Sequence, residues 1–371
     1  MIEFSINIDK EKEIKEFLSN NDLAFVSVIA MSHGVYFVCD STEIYTHISF
    51  PIISKNNFKD NLIFRVPRNK IIALLCDGIL KFSVTDEQVK LKFMDKEYKP
   101  KYSFKCKFQA DLLGSFLRKL QILEEAEEYA QIDLNEIGIL TRFAKSLNTN
   151  VKCKKDTACV ELKGGTIYKK INNMTFNCSG KLLSLLNRYT AKAYNVQNYL
   201  VYKSLDKAII VTKHRDDFNS ELEFIAQQKA LYLAEFSLVN IIDITKRIQF
   251  KEGYFVLDLN NQRAEYIEDT SSYEISVDVS NVVDVRNETR ANKSIDDMNL
   301  EALLLDENLS LDTEKVGANL PSIVVPSDTL KSVLSHMGAK NSVKINIKKN
   351  FIILKVQGVF IVFGRRDFTH V

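Results

Sequence analysis

The side chains best placed to do chemistry in this sequence are basic. Lys181, Arg188 and Lys192 are spaced seven and eleven residues apart, near-whole numbers of turns, so on one helix they share a side. Further cations fall on or just beyond other amphipathic stretches: Lys10, Lys12 and Lys15; Arg68 and Lys70; Arg142 and Lys145; Lys246 and Arg247; Lys331 and Lys340. Such rows either form a solvated face, as any soluble protein has, or meet a polyanion. The row at Lys10–Lys15 is the weakest of them, because Glu11, Glu13 and Glu16 offset its lysines.

Metal and nucleophile chemistry is poorly served. The histidines (33, 47, 214, 336, 370) are scattered and form no H-E-x-x-H pair. There is no phosphate-binding loop, dinucleotide fingerprint or G-x-S-x-G elbow. Gly164-Gly165 reads as a hairpin turn. The six cysteines include no C-x-x-C, and although Cys153, Cys159 and Cys178 could begin a metal site, no fourth ligand accompanies them. Buried free thiols in a reducing cytoplasm are the expectation, with no metal, no cofactor and no enzymatic activity. Formal net charge is +2, which excludes a polybasic arm but leaves room for a local basic surface. No run approaches the ~18–20 apolar residues of a membrane span, and the first residues lack the pattern of a signal peptide, so no membrane partner is expected.

These side chains need elements to carry them, and 371 residues suggest two or three domains. A short amphipathic helix followed by alternating strands recurs six times. The first unit places a helix at 9–19, with Ile14, Phe17 and Leu18 on one side, and strands at 24–31, 34–39 and 43–50. The second opens at Val66-Pro67-Arg68-Asn69, where proline suits a first helical turn, and continues in strands 79–84, 88–93 and 102–108. The third has a helix at 134–147 and strands 151–153, 158–162 and 166–171. The fourth has Ser179 as N-cap, a helix at 181–189, and strands 193–196, 200–205, 208–213 and 221–225. The fifth has a helix at 231–244 and strands 250–257, 263–268 and 273–279. The sixth starts at Ser327 and ends in strands 343–347, 351–356 and 359–363. Two segments break the rhythm: a leucine-containing acidic connector at 109–133, and an insertion at 285–320 with eight acidic and four basic residues, expected to be an exposed flap.

Six helix-plus-strand units, paired into three domains, resemble the DNA sliding clamp family. The stretch 62–108 carries the likeness best: a strand enters the helix start Phe64-Arg65-Val66-Pro67-Arg68-Asn69-Lys70, a hairpin follows, and the alternating strand Tyr102-Ser103-Phe104-Lys105-Cys106-Lys107-Phe108 ends it. Roughly the last 45 residues resemble the end of the bacterial beta-type three-domain clamps. The resemblance is architectural, and with the insertion it points to a divergent bacterial, phage or plasmid version. It implies an α+β fold of three repeated clamp domains, each of two helix-plus-antiparallel-sheet halves. Domain 1 would be 1–112, the connector 113–133, domain 2 134–228, and domain 3 229–371 with the insertion at 285–320.

The same resemblance implies function. The chain would be a homodimeric closed ring in the cytoplasm, associated with the nucleoid, that encircles double-stranded DNA and tethers a DNA polymerase. Helices would line the hole, with Arg68, Lys70, Arg142, Lys145, Lys181, Arg188, Lys192, Lys246, Arg247 and Lys331 meeting phosphates. A pocket for peptide motifs of the polymerase and the clamp loader would involve Ile167, Phe218, Phe224, Ile361 and Phe363, each of which also reads as a core residue. The subunits would join through edge strands bearing Phe104 and Cys106 on one side and Ile275 and Val277 on the other. Two other classes remain open from sequence: a multidomain α+β enzyme with an unrecognised site, and a clamp-like scaffold that does not bind DNA.

Overall fold

A computed structural model describes the chain except residues 20–22, 57–60, 86–87, 95–101, 106–110, 163, 216–223, 226–227, 229, 238–253, 259–262, 269–270, 277–278, 285–322, 327–341, 357 and 365–371. The insertion at 285–320, the expected sixth helix, and Phe218, Cys106, Val277, Lys246, Arg247 and Lys331 therefore lie outside the described residues.

In chain order the elements begin β1 (Ile2–Ile8), α1 (Glu11–Ser19), β2 (Phe25–Met31), β3 (Gly34–Asp40), β4 (Ile44–Phe50), β5 (Ile52–Asn56), β6 (Leu62–Pro67) and α2 (Arg68–Leu74). Next come β7 (Gly78–Val84), β8 (Gln88–Phe93), β9 (Tyr102–Lys105), α3 (Asp111–Glu125), β10 (Gln131–Asp133), α4 (Gly138–Ser146), β11 (Asn150–Lys154), β12 (Thr157–Leu162), β13 (Gly165–Lys170) and β14 (Phe176–Ser179). After α5 (Gly180–Tyr189) follow β15 (Lys192–Val196), β16 (Tyr199–Lys203), β17 (Lys207–Thr212), β18 (Ala230–Ser237), β19 (Tyr254–Asp258), β20 (Arg263–Glu268), β21 (Ser271–Ser276) and β22 (Val279–Asp284). The last are β23 (Ile323–Pro326), β24 (Ser342–Lys348), β25 (Phe351–Val356) and β26 (Val359–Gly364).

The described residues form two compact units, Met1–Leu134 with Leu185–Lys213, and Asn135–Ser184 with His214–Val371. The first holds a five-stranded sheet, β5-β1-β7-β8-β9, and an eight-stranded one, β10-β15-β16-β17-β4-β3-β2-β6. The second holds a nine-stranded sheet, β14-β11-β12-β13-β26-β25-β24-β18-β22, and a four-stranded one, β21-β20-β19-β23. Each long sheet crosses a border that the sequence reading draws between domains. The joints are β4 against β17, with Tyr45 opposite Ile210, and β13 against β26, with Ile167 opposite Ile361.

Alternation along the strands fixes the cores. In the first unit Phe37 and Phe64 of the long sheet meet Phe82 of the short one at 6.4 and 6.3 Å, and Phe4 stacks on Phe82 at 4.6 Å. Each such ring, when fully buried, contributes about 1.5–3 kcal/mol. Helix α1 buries Ile14, Phe17 and Leu18 and lies against α2. The opposite face of the long sheet, with Ile29, Val38, Tyr45, Ile63, Val201 and Ile210, is covered by Phe116 and Leu123 of α3.

Three sequence expectations change. The connector at 109–133 contains a 15-residue helix, α3, whose Leu112, Phe116, Leu120 and Leu123 recur at helical spacing and pack on the sheet. The expected helix at 231–244 begins instead as strand β18, which is hydrogen-bonded between β22 and β24. The expected strand at 221–225 ends in a helical turn at Phe224 and Ile225.

Candidate functional site

The basic helices come first. Leu140, Phe143 and Ala144 of α4 are buried, which turns Arg142 and Lys145 outward, where both are exposed. The helix stops because Asn148 adopts a left-handed φ of 51°, and the Thr149 N–H donates back to the Ala144 carbonyl at 2.9 Å. Helix α5 then starts directly from β14 at Gly180. A Cβ there would lie 2.5 Å from the Ala144 carbonyl carbon and the Lys145 nitrogen, so only glycine allows the approach. That close approach sets the exposed Lys181 beside the C-terminal turn of α4 that bears Lys145.

Arg188, in the last turn of α5, is also exposed. Lys192 is exposed but belongs to strand β15, since α5 ends at Tyr189; the helical-spacing argument therefore covers only Lys181 and Arg188. Lys70 is exposed on α2. Arg68 is half-buried, with its Nη1 enclosed and without a hydrogen-bond partner. Its charge reaches Cys39 and partly offsets the burial that raises that thiol to about 11. On α1, Lys15 is paired with Glu11 at 2.5 Å and Lys10 with Glu13 at 4.0 Å, which matches the offset read from sequence.

The second feature is a cavity of about 290 Å³ in the second unit, lined by Gly164, Gly165, Thr166, Tyr168, Ile225, Phe351, Val362 and Gly364. Gly165 sits so close to β26 that a Cβ would be 2.4 Å from the Val362 carbonyl oxygen. Cys159, Tyr168, Ile225, Ile353, Phe360 and Val362 form one packed cluster behind it. Phe224 is 55% exposed beside the cavity and meets Phe351 edge-on at 5.9 Å.

Ile167, Ile361 and Phe363, expected from sequence in a peptide pocket, are at most 1% exposed and do not line this cavity. Side chains alternate along a strand, so their neighbours Thr166, Tyr168 and Val362 face the cavity instead. Of the five residues named, four are described, and among these Phe224 is exposed and meets the lining residue Phe351; Ile225 and Phe351, not named from sequence, line the cavity from a turn and a strand start.

Two sheet edges complete the picture. Among the described residues strand β9, carrying Phe104, is an edge of the five-stranded sheet, and β21, carrying Ile275, is an edge of the four-stranded sheet. Among the thiols, Cys39, Cys76, Cys153, Cys159 and Cys178 are free and buried. Cys153 pairs in register with Ala158, which turns Cys159 to the opposite face of the β11–β12 hairpin. Among the described residues no group of three or more His, Cys, Asp or Glu is placed to hold a metal ion. Nor is any described helix long and apolar enough to cross a membrane.

Against known proteins, no family model matches the chain, and no curated sequence matches it. Solved structures do. A putative DNA polymerase III beta subunit from Eubacterium rectale superposes over 100% of both chains with a TM-score of 0.66 at 8% identity. A DNA polymerase sliding clamp from Pseudomonas aeruginosa matches 99% of this chain and 100% of its own, with a TM-score of 0.63 at 8% identity. The Helicobacter pylori beta clamp bound to a DNA ligase peptide matches 98% of this chain and 99% of its own, with a TM-score of 0.58 at 8% identity. The chain therefore has the beta-clamp fold from end to end.

Proposed function

We propose that this protein is a non-enzymatic DNA sliding clamp, which tethers a DNA polymerase to the duplex it encircles. The observation that carries this reading is the likeness to beta clamps over essentially the whole length of both chains, with no large part left over for another activity. The chemistry of the second unit supports it. Helix α4, with exposed Arg142 and Lys145, packs against β11 and β12 of the nine-stranded sheet. The cavity is set on the sheet face opposite to Ile167 and Ile361. Such an arrangement offers cations to a phosphate backbone and a cavity of mixed polar and apolar lining to a protein segment.

In this reading Lys70, Arg142, Lys145, Lys181, Arg188 and Lys192 meet DNA phosphates. The cavity at Tyr168, Ile225, Phe351 and Val362, rimmed by Phe224, takes a peptide motif of the polymerase or of the clamp loader. The Helicobacter pylori clamp was solved with a DNA ligase peptide, which is the kind of ligand such a cavity fits. Two chains close the ring when β9 of one pairs with β21 of the other, so that two exposed strand edges become one continuous sheet. Encirclement makes tight direct affinity unnecessary, in keeping with a net charge of +2. Such a protein works in the cytoplasm, on the nucleoid.

Sedimentation equilibrium tests the ring. The expected result is a single species at twice the chain mass. A monomer at micromolar concentration would contradict the proposal.

A further inference from the structure

Lysine is almost never fully buried unless its charge is paired, because desolvating an ammonium group is costly. Lys348, the last residue of β24, has 0% of its surface exposed. Its Nζ donates to the Ile225 carbonyl at 3.3 Å. That carbonyl also accepts the Gln228 N–H at 3.2 Å. The Gln228 side chain in turn accepts the Asn350 N–H at 3.0 Å. The turn that begins at Phe224 is thus tied to the end of β24 and to the residue before β25, while its Ile225 side chain packs into the cluster with Tyr168 and Val362.

This arrangement matters because the cavity has two kinds of wall. Thr166, Tyr168 and Val362 belong to strands β13 and β26, whose ladder holds them. Ile225 belongs to the turn, outside any ladder. We infer that Lys348 is the positioning residue for the cavity: its buried ammonium fixes the turn at Phe224 and Ile225 and so sets where Ile225 stands opposite the sheet wall. The inference rests on the cavity being the peptide site.

Lys348→Met tests it, since methionine keeps an unbranched stem of similar length while removing the donor and the charge. The first readout is amide exchange on the full-length protein. Losing a charge-assisted hydrogen bond should speed exchange at Gln228 and Asn350 about tenfold, with the amides of β13 and β26 unchanged. The second readout is binding of a fluorescein-labelled copy of the DNA ligase peptide held by the Helicobacter pylori clamp. Lys348→Met should weaken it about tenfold while leaving the oligomeric mass unchanged. Unaltered exchange at Gln228, or peptide binding as tight as or tighter than that of the parent protein, would overturn the inference. Failure of the parent protein to bind the peptide would overturn the peptide-site reading instead, and the exchange arm would still decide whether Lys348 holds the turn.

Discussion

At the scale of single residues, burial decides which titratable and charged groups act outward and which are structural. His47 is buried, its Nδ1 hydrogen-bonded to the Tyr45 hydroxyl at 2.8 Å, with the rings of Tyr36 and Phe116 against it. Burial lowers its pKa to about 4. The folded protein therefore favours neutral His47, and the unfolded chain binds more protons between about pH 6.5 and about pH 4. Its contribution is complete above that window and is lost as pH falls through it, at most about 3 kcal/mol. Urea melts across this range should show a steeper loss of stability for the parent protein than for His47→Phe, and equal slopes would refute the assignment. For the outward cations, replacing Lys181 and Arg188 by alanine should leave the dimer intact. The slope of log affinity against log salt should fall by about one unit for each phosphate that a cation no longer neutralises. An unchanged slope in a salt titration on nicked DNA would remove them from the interface. Arg68, named with them from sequence, is half-buried with its Nη1 enclosed, and sequence could not show it: spacing places a residue on a helix, but not which way a long side chain lies. Ile167, Ile361 and Phe363 have the apolar character of a pocket, yet strand parity turns them away from the cavity that Thr166, Tyr168 and Val362 line, and sequence alone does not say what packs on either face of a buried strand.

At the scale of elements, most strands and helices were legible because their periods differ so clearly. Helix α1, α2 with its entering Pro67, α5 and the three C-terminal strands all stand within a few residues of their expected bounds. The acidic connector holds an element that the sequence reading does not name: beside its glutamates at 124, 125, 127 and 128, Leu112, Phe116, Leu120 and Leu123 carry the helical stripe that docks on the sheet. Lys203 holds the end of this helix, donating to the Leu123 carbonyl at 2.9 Å and pairing with Glu127 at 2.8 Å. Phe116→Ala should cost about 3–5 kcal/mol, since it empties a fully buried ring site. Chemical denaturation reads this directly, and a loss below about 1 kcal/mol would mean that α3 is not part of the core. Strand β18 was expected as a helix: Leu231, Leu233 and Ala234 suit a helix as well as a strand, and only the pairing with Ile345 and Ile347 of β24 decides.

At the scale of the whole molecule, the helix-and-strand repeat was legible in its first four units, whereas the continuity of the two long sheets was not, because pairing between distant strands leaves no local mark. Ring closure is the first property that belongs to this scale. A charge placed on the edge strand β21 by Ile275→Asp should split the dimer into monomers without unfolding either, since an unpaired carboxylate in a closed interface is strongly unfavourable. A dimer that survives the change in ultracentrifugation would move the interface elsewhere. Topological binding is the second property, and it is the heart of the proposal. The direct measurement is to place the protein on nicked circular DNA with a clamp loader and ATP, wash at high salt, and then cut the circle once with a restriction enzyme. A sliding clamp should stay on the circle through the wash and leave after the cut, because linear ends let a ring slide off. Protein that washes away from the circle, or that remains equally well on the linear product, would contradict encirclement.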